Sequence, residues 1–330
     1  MSAYIYIPYS YFENIDMENY YLASFYLLKK FHLERGEGIT FFHLNFHYSS
    51  IARVIRKLFP DSKIFLTIHF DLGFSFENKY IDLSINTEDK YNPNRIFYNY
   101  VDKVICLSKY NQDLLIKKYA VDSNKIYLIR NGMSDSFNKT ESRNSLREKY
   151  GISDSTKVFI FVGRLDKIKG VDILIESFRY VYNQNRDFLL FVVGNGEDIC
   201  DYLRLTYKYH KNIVFTGYLS KEDIHELYII SDIGILPSFY EQCSYTVIEM
   251  LMYGLPVIGT NAIGLDEMPL YKKIEIENSK INPILLSEVI IQSWNFKIRK
   301  ESIRNVYISN YDLSIMKKKI LSLYRDNLYI

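Results

Sequence analysis

The chain has 330 residues, and its 41 Lys and Arg nearly balance its 39 Asp and Glu to give a net charge of +2. This near-neutral balance argues against a dedicated nucleic-acid binder, which concentrates basic residues on one surface. Hydrophobic residues make up 48% and charged residues 24%, a composition typical of a soluble globular protein, and the length favours two domains.

The spacing of the cysteines and the length of the apolar runs indicate the cellular compartment. Cys106, Cys200 and Cys243 lie far apart without metal-ligand spacing, which favours a reducing compartment over a disulfide framework. The N-terminus lacks the basic segment and apolar core of a signal peptide, and no apolar run approaches the ~18 residues that a membrane span requires. We therefore expect a cytoplasmic protein.

Apolar strand-like segments alternate with helical segments in the first part of the chain. Near-continuous apolar strands between amphipathic helices are typical of a parallel sheet covered on both faces. The Asn131-Gly132 pair interrupts the pattern, and a polar linker with one helical turn follows. The predicted strands are 39–43, 63–69, 103–107 and 126–129; the predicted helices are 49–59, 93–100 and 109–119; the linker is 135–154, with its turn at 142–150.

A second alternating series follows the linker. Two such series predict an α/β protein in which two doubly wound, Rossmann-like parallel-sheet domains face each other across a cleft. We place the domains at residues 1–134 and 135–310, followed by a C-terminal helical segment at 311–330. The predicted strands are 157–162, 188–193, 213–216, 232–236 and one beginning at 257; the predicted helices are 170–183, 199–209, 221–230, 245–253, 298–308 and 313–328.

Two glutamates eight positions apart flank a predicted helix start. Glu241 lies in the loop after the strand at 232–236, and Ser244 suits the N-cap of the helix that carries Glu249. The helix N-terminus between the two carboxylates offers free N–H groups and a positive dipole end, which suits a phosphate. The arrangement is typical of a site for a sugar phosphate or nucleotide sugar, although the spacing alone fits two unrelated surface glutamates equally well.

Other strand ends of the second series also carry candidate binding residues. Ligands of open parallel sheets collect beyond the carboxyl ends of the strands. There, Gly163 permits close backbone approach, and Arg164 and Lys169 provide two cations that can hold a diphosphate. Gly194 and Gly217 follow the next two strands at strand-to-helix turns, although the Gly194 turn alone also fits a simple tight turn.

Taken in order, the motifs Gly-Arg-x4-Lys-Gly, Val-Gly-x-Gly, Phe-x-Gly-x-Leu and Glu-x7-Glu resemble the donor domain of retaining GT-B glycosyltransferases of family 4. The resemblance covers roughly residues 157–268, and it extends to the first domain over about residues 63–132. It implies a GT-B fold with the acceptor side in the first domain and the nucleotide-sugar donor site in the second. It also implies a last helix that crosses back to the first domain.

The activity implied by the resemblance is transfer of a sugar from a nucleotide-diphosphate sugar, with UDP favoured over GDP. The acceptor would be a glycan, a lipid-linked saccharide or a peptide, in the biosynthesis of a surface polysaccharide or glycoconjugate. Two fixed cations and a helix dipole can replace a divalent ion as the clamp on a departing diphosphate, so no metal and no other cofactor is expected.

The resemblance also implies a role for each motif residue. Arg164 and Lys169 would neutralise the leaving diphosphate, Glu249 would accept hydrogen bonds from ribose hydroxyls, and Glu241 would hold sugar hydroxyls. His69, which ends a first-domain strand, would lie near the transferred sugar, although a histidine in such a place is more often structural. The full set of donor-binding candidates adds Gly163, Gly194, Gly217, Gln242, Cys243, Ser244, Tyr245 and Thr246.

Two departures from the family pattern leave alternatives open. Gln242-Cys243-Ser244-Tyr245 stands where many relatives have glycines or a Phe-Gly pair, so the donor sugar is undetermined. The first glycine is Gly36, whereas the family usually begins with a strand and a glycine-rich loop. The alternative is therefore a catalytically degenerate subunit that supports a partner glycosyltransferase, although the intact glutamates and cations favour an enzyme. A sugar-nucleotide epimerase on the same fold is less favoured.

Basic residues cluster at 297–304 and 317–319, near the end of the chain. We interpret both clusters mainly as solvated helix faces. The alternative is weak peripheral contact with anionic lipid at the inner face of the membrane, which would suit a lipid-linked acceptor.

Overall fold

The computed structural model describes residues 41–45, 49–69, 98–137, 142–277 and 280–328. Most of the predicted helix at 93–100 and the glycine-poor start of the chain lie outside these residues. Within the described part, the chain forms two parallel sheets flanked by helices, which confirms the predicted fold class.

None of the helices in the described ranges combines the length and the apolar character that a membrane span requires.

The first sheet has four described strands, all parallel, in the order β1-β2-β3-β4. Alternate residues of β2 reach opposite faces, because successive side chains of a strand point to opposite sides. Ile64 and Leu66 join one buried cluster, and Phe65 joins another. The elements are β1 (Phe41–Leu44), α1 (Ser49–Leu58), β2 (Lys63–Ile68), β3 (Lys103–Cys106), α2 (Lys109–Lys117) and β4 (Ile126–Leu128).

The second sheet has six described strands, all parallel, in the order β10-β9-β8-β5-β6-β7. The chain first builds outward from β5 to β7 and then returns to the other side of β5 with β8. The strands are β5 (Lys157–Val162), β6 (Phe188–Val193), β7 (Ile213–Gly217), β8 (Ile233–Leu236), β9 (Val257–Thr260) and β10 (Lys272–Ile274). The order therefore reverses between β5 and β8, and in open α/β sheets such a reversal opens a crevice that binds ligands.

Helices cover both faces of the second sheet. Val158 and Ile160 of β5 pack into one buried cluster, whereas Phe159 and Phe161 pack into the other. Apolar residues at successive positions are therefore all buried, as the uninterrupted apolar run predicted. The helices are α3 (Arg143–Lys149), α4 (Val171–Gln184), α5 (Ile199–Thr206), α6 (Lys221–Ile230), α7 (Tyr245–Met252), α8 (Pro283–Gln292), α9 (Lys300–Asn310) and α10 (Leu313–Leu328).

The chain passes between the two sheets at two adjacent segments. The Met133 N–H donates to the Tyr311 carbonyl at 2.9 Å, and the Leu313 N–H donates back to the Met133 carbonyl at 2.9 Å. Beyond this crossing, Leu323 of α10 packs in a buried cluster with Phe65 of β2. The last helix thus lies on the first sheet and ties the two domains together.

His43 of β1 joins the first sheet to α10. Its Nε2 lies 2.7 Å from the Thr67 hydroxyl, and its Nδ1 is hydrogen-bonded to the Tyr324 hydroxyl. Burial, with a smaller contribution from nearby His69, lowers the pKa of His43 from 6.5 to about 4. His43 is therefore neutral in the folded protein at pH values where it is charged in the unfolded chain.

We expect this histidine to make folding sensitive to acid. Between its unfolded pKa of 6.5 and its folded pKa of about 4, the unfolded chain binds the extra proton, so stability falls as pH falls. The free energy of unfolding from urea titrations should drop by about 2 kcal/mol between about pH 7 and pH 5 through this group alone. His43→Gln should remove that part of the slope, whereas replacing the exposed His210 should leave it. An unchanged slope in His43→Gln would contradict the assignment.

The interpretation of residues 297–304 as a solvated face is wrong for two of its basic residues. Lys300 Nζ donates to the Ser231 carbonyl at 3.2 Å, and burial lowers the pKa of Lys300 to about 8. Arg304 donates to the Met252 carbonyl and forms an ion pair with Asp135. The two side chains therefore attach α9 to the ends of α6 and α7 and to Asp135, rather than facing solvent or lipid. Lys317, Lys318 and Lys319 of α10 are exposed.

Candidate functional site

The ion pair between Lys169 and Glu241 lies at the crevice between β5 and β8. Lys169 Nζ is 2.6 Å from Glu241 Oε1, and the two side chains are only 20% and 10% exposed. Lys169 follows β5 and Glu241 follows β8, so the pair forms because these two strands are neighbours in the sheet. The sheet topology thus joins two residues that are 72 positions apart in the chain.

The backbone after β5 is shaped to bring Lys169 to this place. The Asp166 carboxylate accepts a hydrogen bond from the Lys169 N–H at 3.0 Å and so caps a short 3-10 turn, Lys167–Lys169. The next residue, Gly170, has a φ of 66°, and a Cβ there would lie 2.0 Å from the Pro237 carbonyl oxygen. Only glycine allows the two strand-end loops to approach this closely.

Glu241 is held by its own loop as well as by Lys169. The Ser238 hydroxyl donates to Glu241 Oε1 at 3.1 Å. The backbone at Gly264, with a φ of 75°, packs so closely that a Cβ there would lie 2.2 Å from the Glu241 carbonyl oxygen. The carboxylate is therefore fixed at the mouth of the crevice, where Oε1 has two partners. A carboxylate oxygen has further acceptor capacity that a sugar hydroxyl can use.

Arg164, the second predicted cation, is not part of this pair. Its side chain is 67% exposed and lies 3.1 Å from the Asp166 carboxylate. The structure therefore places one predicted cation in the crevice and the other at its solvent side.

The glycines predicted at the strand ends pack backbone against backbone. The Gly163 N–H donates to the Val193 carbonyl, and the Gly194 N–H donates to the Gly217 carbonyl, both at 3.0 Å. A Cβ on Gly194, whose φ is 136°, would lie 1.9 Å from the Gly163 carbonyl oxygen. The ends of β5, β6 and β7 thus meet without intervening side chains, which leaves room for a ligand to approach the backbone.

Helix α7 presents its N-terminus beside Glu241. Ser244 occupies the N-cap position, as predicted, but its side chain makes no capping hydrogen bond, so the first-turn N–H groups keep their capacity for an anion. The Thr246 hydroxyl donates to the Val162 carbonyl at 3.3 Å and holds the helix start against the end of β5. Tyr245 is 46% exposed. Burial raises the pKa of the Cys243 thiol to about 11, so this thiol stays protonated near neutral pH.

Glu249 lies one turn into α7 and is paired with a tyrosine that the sequence did not single out. The Tyr228 hydroxyl, fully buried on α6, donates to Glu249 Oε2 at 2.8 Å. Burial raises the pKa of Glu249, and the hydrogen bond from Tyr228 partly opposes that shift. Keeping a carboxylate largely out of water costs free energy that one hydrogen bond only partly offsets, and such perturbed groups concentrate at functional sites.

His69 directly follows β2 in the first domain, one residue beyond the end of the strand that was predicted to include it. Its Nε2 lies 3.3 Å from the Asn45 side-chain oxygen, and burial lowers its pKa. The neutral imidazole can accept or donate one hydrogen bond to a ligand. The segment that follows it, residues 70–97, lies outside the described residues.

Gln242 and Cys243 contact the first domain. The Gln242 side chain pairs with Asn111 of α2, and the Cys243 carbonyl accepts a hydrogen bond from Asn131 at 3.1 Å. The sequence pattern gave Asn111 no role, and Asn131 was noted only in the Asn131-Gly132 pair that interrupts the alternation of strands and helices. No local signal exposes such partners, because the contacts span more than 100 positions.

Among the described residues, no group of three or more His, Cys, Asp or Glu side chains is arranged to hold a metal ion.

The site therefore combines features suited to different parts of one ligand. The N-terminus of α7 and Lys169 favour a negatively charged group, whereas Glu241 and Glu249 can accept hydrogen bonds from hydroxyl groups. A molecule with a diphosphate between two polyhydroxylated parts matches this order of charges and acceptors.

Two family models match adjacent parts of the chain. The model described as Glycosyltransferase Family 4 matches residues 3–137, and the model described as Glycosyl transferases group 1 matches residues 142–269. Their boundary falls between the two sheets of the structure. The second match contains all of the candidate residues that surround the crevice.

Two curated relatives and one solved protein show the range of similarity. An uncharacterized glycosyltransferase of Methanocaldococcus jannaschii is 26% identical over 208 residues, 59% of this chain and 52% of its own. The UDP-Gal:alpha-D-GlcNAc-diphosphoundecaprenol alpha-1,3-galactosyltransferase of Escherichia coli is 31% identical over 172 residues, 49% of this chain and 43% of its own. The chain thus spans about half the length of the curated relatives it matches.

An Anabaena protein solved in complex with UDP shares the fold, with a TM-score of 0.72 at 15% identity; the match covers 92% of this chain and 82% of that one. The same protein solved with UDP and glucose and with UDP-glucose gives TM-scores of 0.70 and 0.69. The two family models follow each other along most of the sequence, and the chain belongs to the GT-B glycosyltransferases of family 4 and group 1.

Proposed function

We propose that this protein is a retaining glycosyltransferase that uses a nucleotide-diphosphate sugar. The observation that carries the proposal is the Lys169–Glu241 pair at the β5–β8 crevice, next to a helix N-terminus whose cap side chain makes no hydrogen bond. Lys169 and the α7 N–H groups would hold the diphosphate, Glu241 would hold sugar hydroxyls, and Glu249 would hold the ribose. Arg164 is exposed at the crevice edge and would turn from Asp166 to the diphosphate.

In the proposed reaction, the bond between the anomeric carbon and the β-phosphate oxygen breaks, and the departing diphosphate keeps the electron pair. The acceptor hydroxyl attacks from the face that the diphosphate leaves, and its proton passes to the leaving phosphate oxygen. The charge that develops on the diphosphate would be stabilised by Lys169 and the helix dipole, which are fixed before the reaction. With these groups in place, the reaction would need no metal ion.

We favour UDP as the nucleotide. The Escherichia coli relative is named for a UDP-sugar donor, and the Anabaena protein of the same fold was solved with UDP-glucose. The acceptor would be a glycan, a lipid-linked saccharide or a peptide, bound on the first-domain side near His69. The Escherichia coli relative is named for a lipid-linked diphosphate acceptor, which supports a role for this protein in surface-polysaccharide or glycoconjugate synthesis.

A calorimetric titration of the purified chain with UDP, GDP and ADP, first without metal and then with Mg²⁺, tests the donor site. We expect selective micromolar binding of UDP that Mg²⁺ leaves unchanged, because Lys169 and the helix N-terminus already supply the positive charge. Selective binding of GDP instead would show that the donor is a GDP-sugar rather than a UDP-sugar. A strict requirement for Mg²⁺ would contradict the metal-independent mechanism.

The remaining alternative is a degenerate subunit that supports a partner enzyme. Absence of binding to any of the three nucleotides, together with recovery of a stable complex with a second, active glycosyltransferase, would replace the proposed function with that one.

A further inference from the structure

The loop that carries Glu241 is attached to the first domain by side-chain amides. We call residues 240–244 the donor loop. Asn111 of α2 pairs with Gln242 in both directions: its Nδ2 donates to Gln242 Oε1, and its Oδ1 accepts from Gln242 Nε2 at 3.3 Å. Asn131 Nδ2 donates to the Cys243 carbonyl at 3.1 Å. All four residues are buried.

These contacts engage both ends of the Gln242 amide. Its second amide N–H donates to the Tyr240 hydroxyl, within the same loop. A primary amide offers two N–H donors and a carbonyl oxygen, and here both donors and the oxygen are engaged. The Gln242 side chain therefore holds the conformation of the loop, and the loop offers its backbone rather than this side chain to a ligand.

A carboxylate of the second domain also contacts the first domain near the donor loop. Glu267, on the segment after β9, accepts hydrogen bonds from the Lys109 and Tyr110 N–H groups at 2.8 and 3.0 Å. These are the first N–H groups of α2, where the helix dipole favours a negative charge. Arg130 Nη2 lies 3.2 Å from the same carboxylate. Glu267 thus anchors the helix that carries Asn111.

We infer that Asn111 and Asn131 are positioning residues for the donor loop, and that Glu267 holds the two domains in the arrangement in which they act. The inference rests on the proposed function, because the loop is taken to bind the sugar of the donor through Glu241. As a consequence, the nucleoside and the sugar of the donor depend on different parts of the protein. The nucleoside site around Glu249 lies within one domain, whereas the sugar site is complete only when the first domain is docked against the loop.

The test compares binding of UDP with binding of a UDP-sugar in variants of the full chain. The probe is whichever of UDP-glucose, UDP-galactose and UDP-N-acetylglucosamine binds the wild type most tightly. Asn111→Ala and Asn131→Ala should each weaken binding of the UDP-sugar about tenfold, since each leaves a buried polar group without its partner. Glu267→Gln should weaken it to a similar degree, since it removes the negative charge from the N-terminus of α2 and from the ion pair with Arg130. Affinity for UDP alone should stay within about threefold of wild type, since its ribose and base contacts lie outside the loop.

A double-mutant cycle tests whether Asn111 acts through Gln242. If it does, Asn111→Ala combined with Gln242→Ala should bind the UDP-sugar no more weakly than either single variant. Gln112→Ala, on the next residue of α2, and Asp266→Asn, beside Glu267 and paired with Lys273, are the matched controls and should bind as wild type does. Additive losses, or unchanged UDP-sugar affinity in Asn111→Ala, would overturn the inference.

Hydrogen exchange of the ligand-free protein separates this inference from the proposed function. Amides of the donor loop should exchange faster in Asn131→Ala and Glu267→Gln than in the wild type or in Asp266→Asn. If the wild type binds no nucleotide but these amides still loosen, the proposed function fails and the positioning of the loop stands. If the wild type binds UDP-sugar but the exchange does not change, the inference fails and the proposed function stands.

Discussion

Replacing Lys169 with alanine is expected to lower kcat by about 10²–10³-fold, the usual loss when one fixed electrostatic contact to developing charge is removed. Lys169 is the predicted cation that lies inside the crevice, 2.6 Å from Glu241. Before reaction it pairs with that carboxylate. As the diphosphate departs, the same ammonium group would share the charge that forms there, so its contribution is larger in the transition state than in the ground state.

The loss should appear mainly in kcat rather than in KM. The α7 N-terminus and Glu249 would still hold the donor, whereas the stabilisation of the leaving group would be gone. The measurement is a set of initial rates. The donor is a sugar linked to whichever nucleotide the titration selects, and release of the nucleoside diphosphate is the readout. Removing Lys169 also leaves Glu241 buried beside Ser238 without a cation, so the free energy of unfolding must be measured alongside the rates.

Two variants on the same loop serve as comparisons. Lys167→Ala removes an exposed lysine from the same 3-10 turn and should leave kcat unchanged. Arg164→Ala removes the exposed cation, and its effect should be smaller than that of Lys169→Ala, about tenfold or less, because water screens an exposed charge. Full activity in Lys169→Ala would remove Lys169 from the site.

Sequence periodicity predicted the second domain well because its strands and helices obey local rules. The bounds of β5 and β6 match the prediction, and so do those of α6, whose N-cap Ser220 accepts a hydrogen bond from the Asp223 N–H at 3.1 Å. An uninterrupted apolar run that follows polar residues and ends at a glycine is typical of a buried parallel strand.

Hydrophobic periodicity did not predict two elements of the second domain, because their apolar residues are few or do not form one stripe. The strand β10 (Lys272–Ile274) was not predicted, because two of its three residues are exposed lysines at the edge of the sheet. The helix α8 (Pro283–Gln292) was also missed, although its N-cap Asn282 accepts a hydrogen bond from the Ile284 N–H at 2.9 Å. Its apolar residues are spread around the helix rather than confined to one stripe, so helical periodicity is weak there.

The site shows the same division between local and long-range information. The glycines, Lys169 and both glutamates were identified from short motifs whose residues are close together in the sequence. The partners of these residues were not identified, because Tyr228 reaches Glu249, and Asn111 reaches Gln242, only after the strand order and the domain contact have formed. The pairing of Lys169 with Glu241 likewise depends on β8 lying next to β5. The sequence contains the residues but does not state the order of the strands.

Glu249→Gln is expected to weaken UDP binding about tenfold or more, the usual cost of losing hydrogen bonds from ligand hydroxyls to a charged acceptor. The change keeps the size of the side chain and an oxygen that can accept the 2.8 Å hydrogen bond from Tyr228. It also relieves the desolvation that raises the pKa of Glu249, so the free energy of unfolding should stay equal or rise. Weaker binding without lost stability distinguishes a ligand-binding carboxylate from a structural one.

The pH dependence of UDP binding gives a second signature of the same group. Burial raises the pKa of Glu249, so the carboxylate takes up its proton at a higher pH than an exposed glutamate, and UDP affinity should fall as pH decreases through that value. Because the hydrogen bond from Tyr228 lowers this pKa, Tyr228→Phe should move the acid limb to higher pH. In Glu249→Gln the part of this limb that comes from the protein should disappear, and the titration of the UDP phosphate should remain.

Calorimetric titrations with UDP over a range of pH test both expectations, and Glu222→Gln on the exposed side of α6 is the matched control. Glu222→Gln should keep both the affinity and the acid limb of the wild type. If Glu249→Gln binds UDP as tightly as wild type and keeps the same acid limb, the carboxylate does not contact the nucleotide, and the second glutamate of the motif would serve only its contact with Tyr228. If the protein's part of the limb disappears in Glu249→Gln and moves to higher pH in Tyr228→Phe, the titrating group is Glu249 itself, because no other carboxylate would respond to both changes.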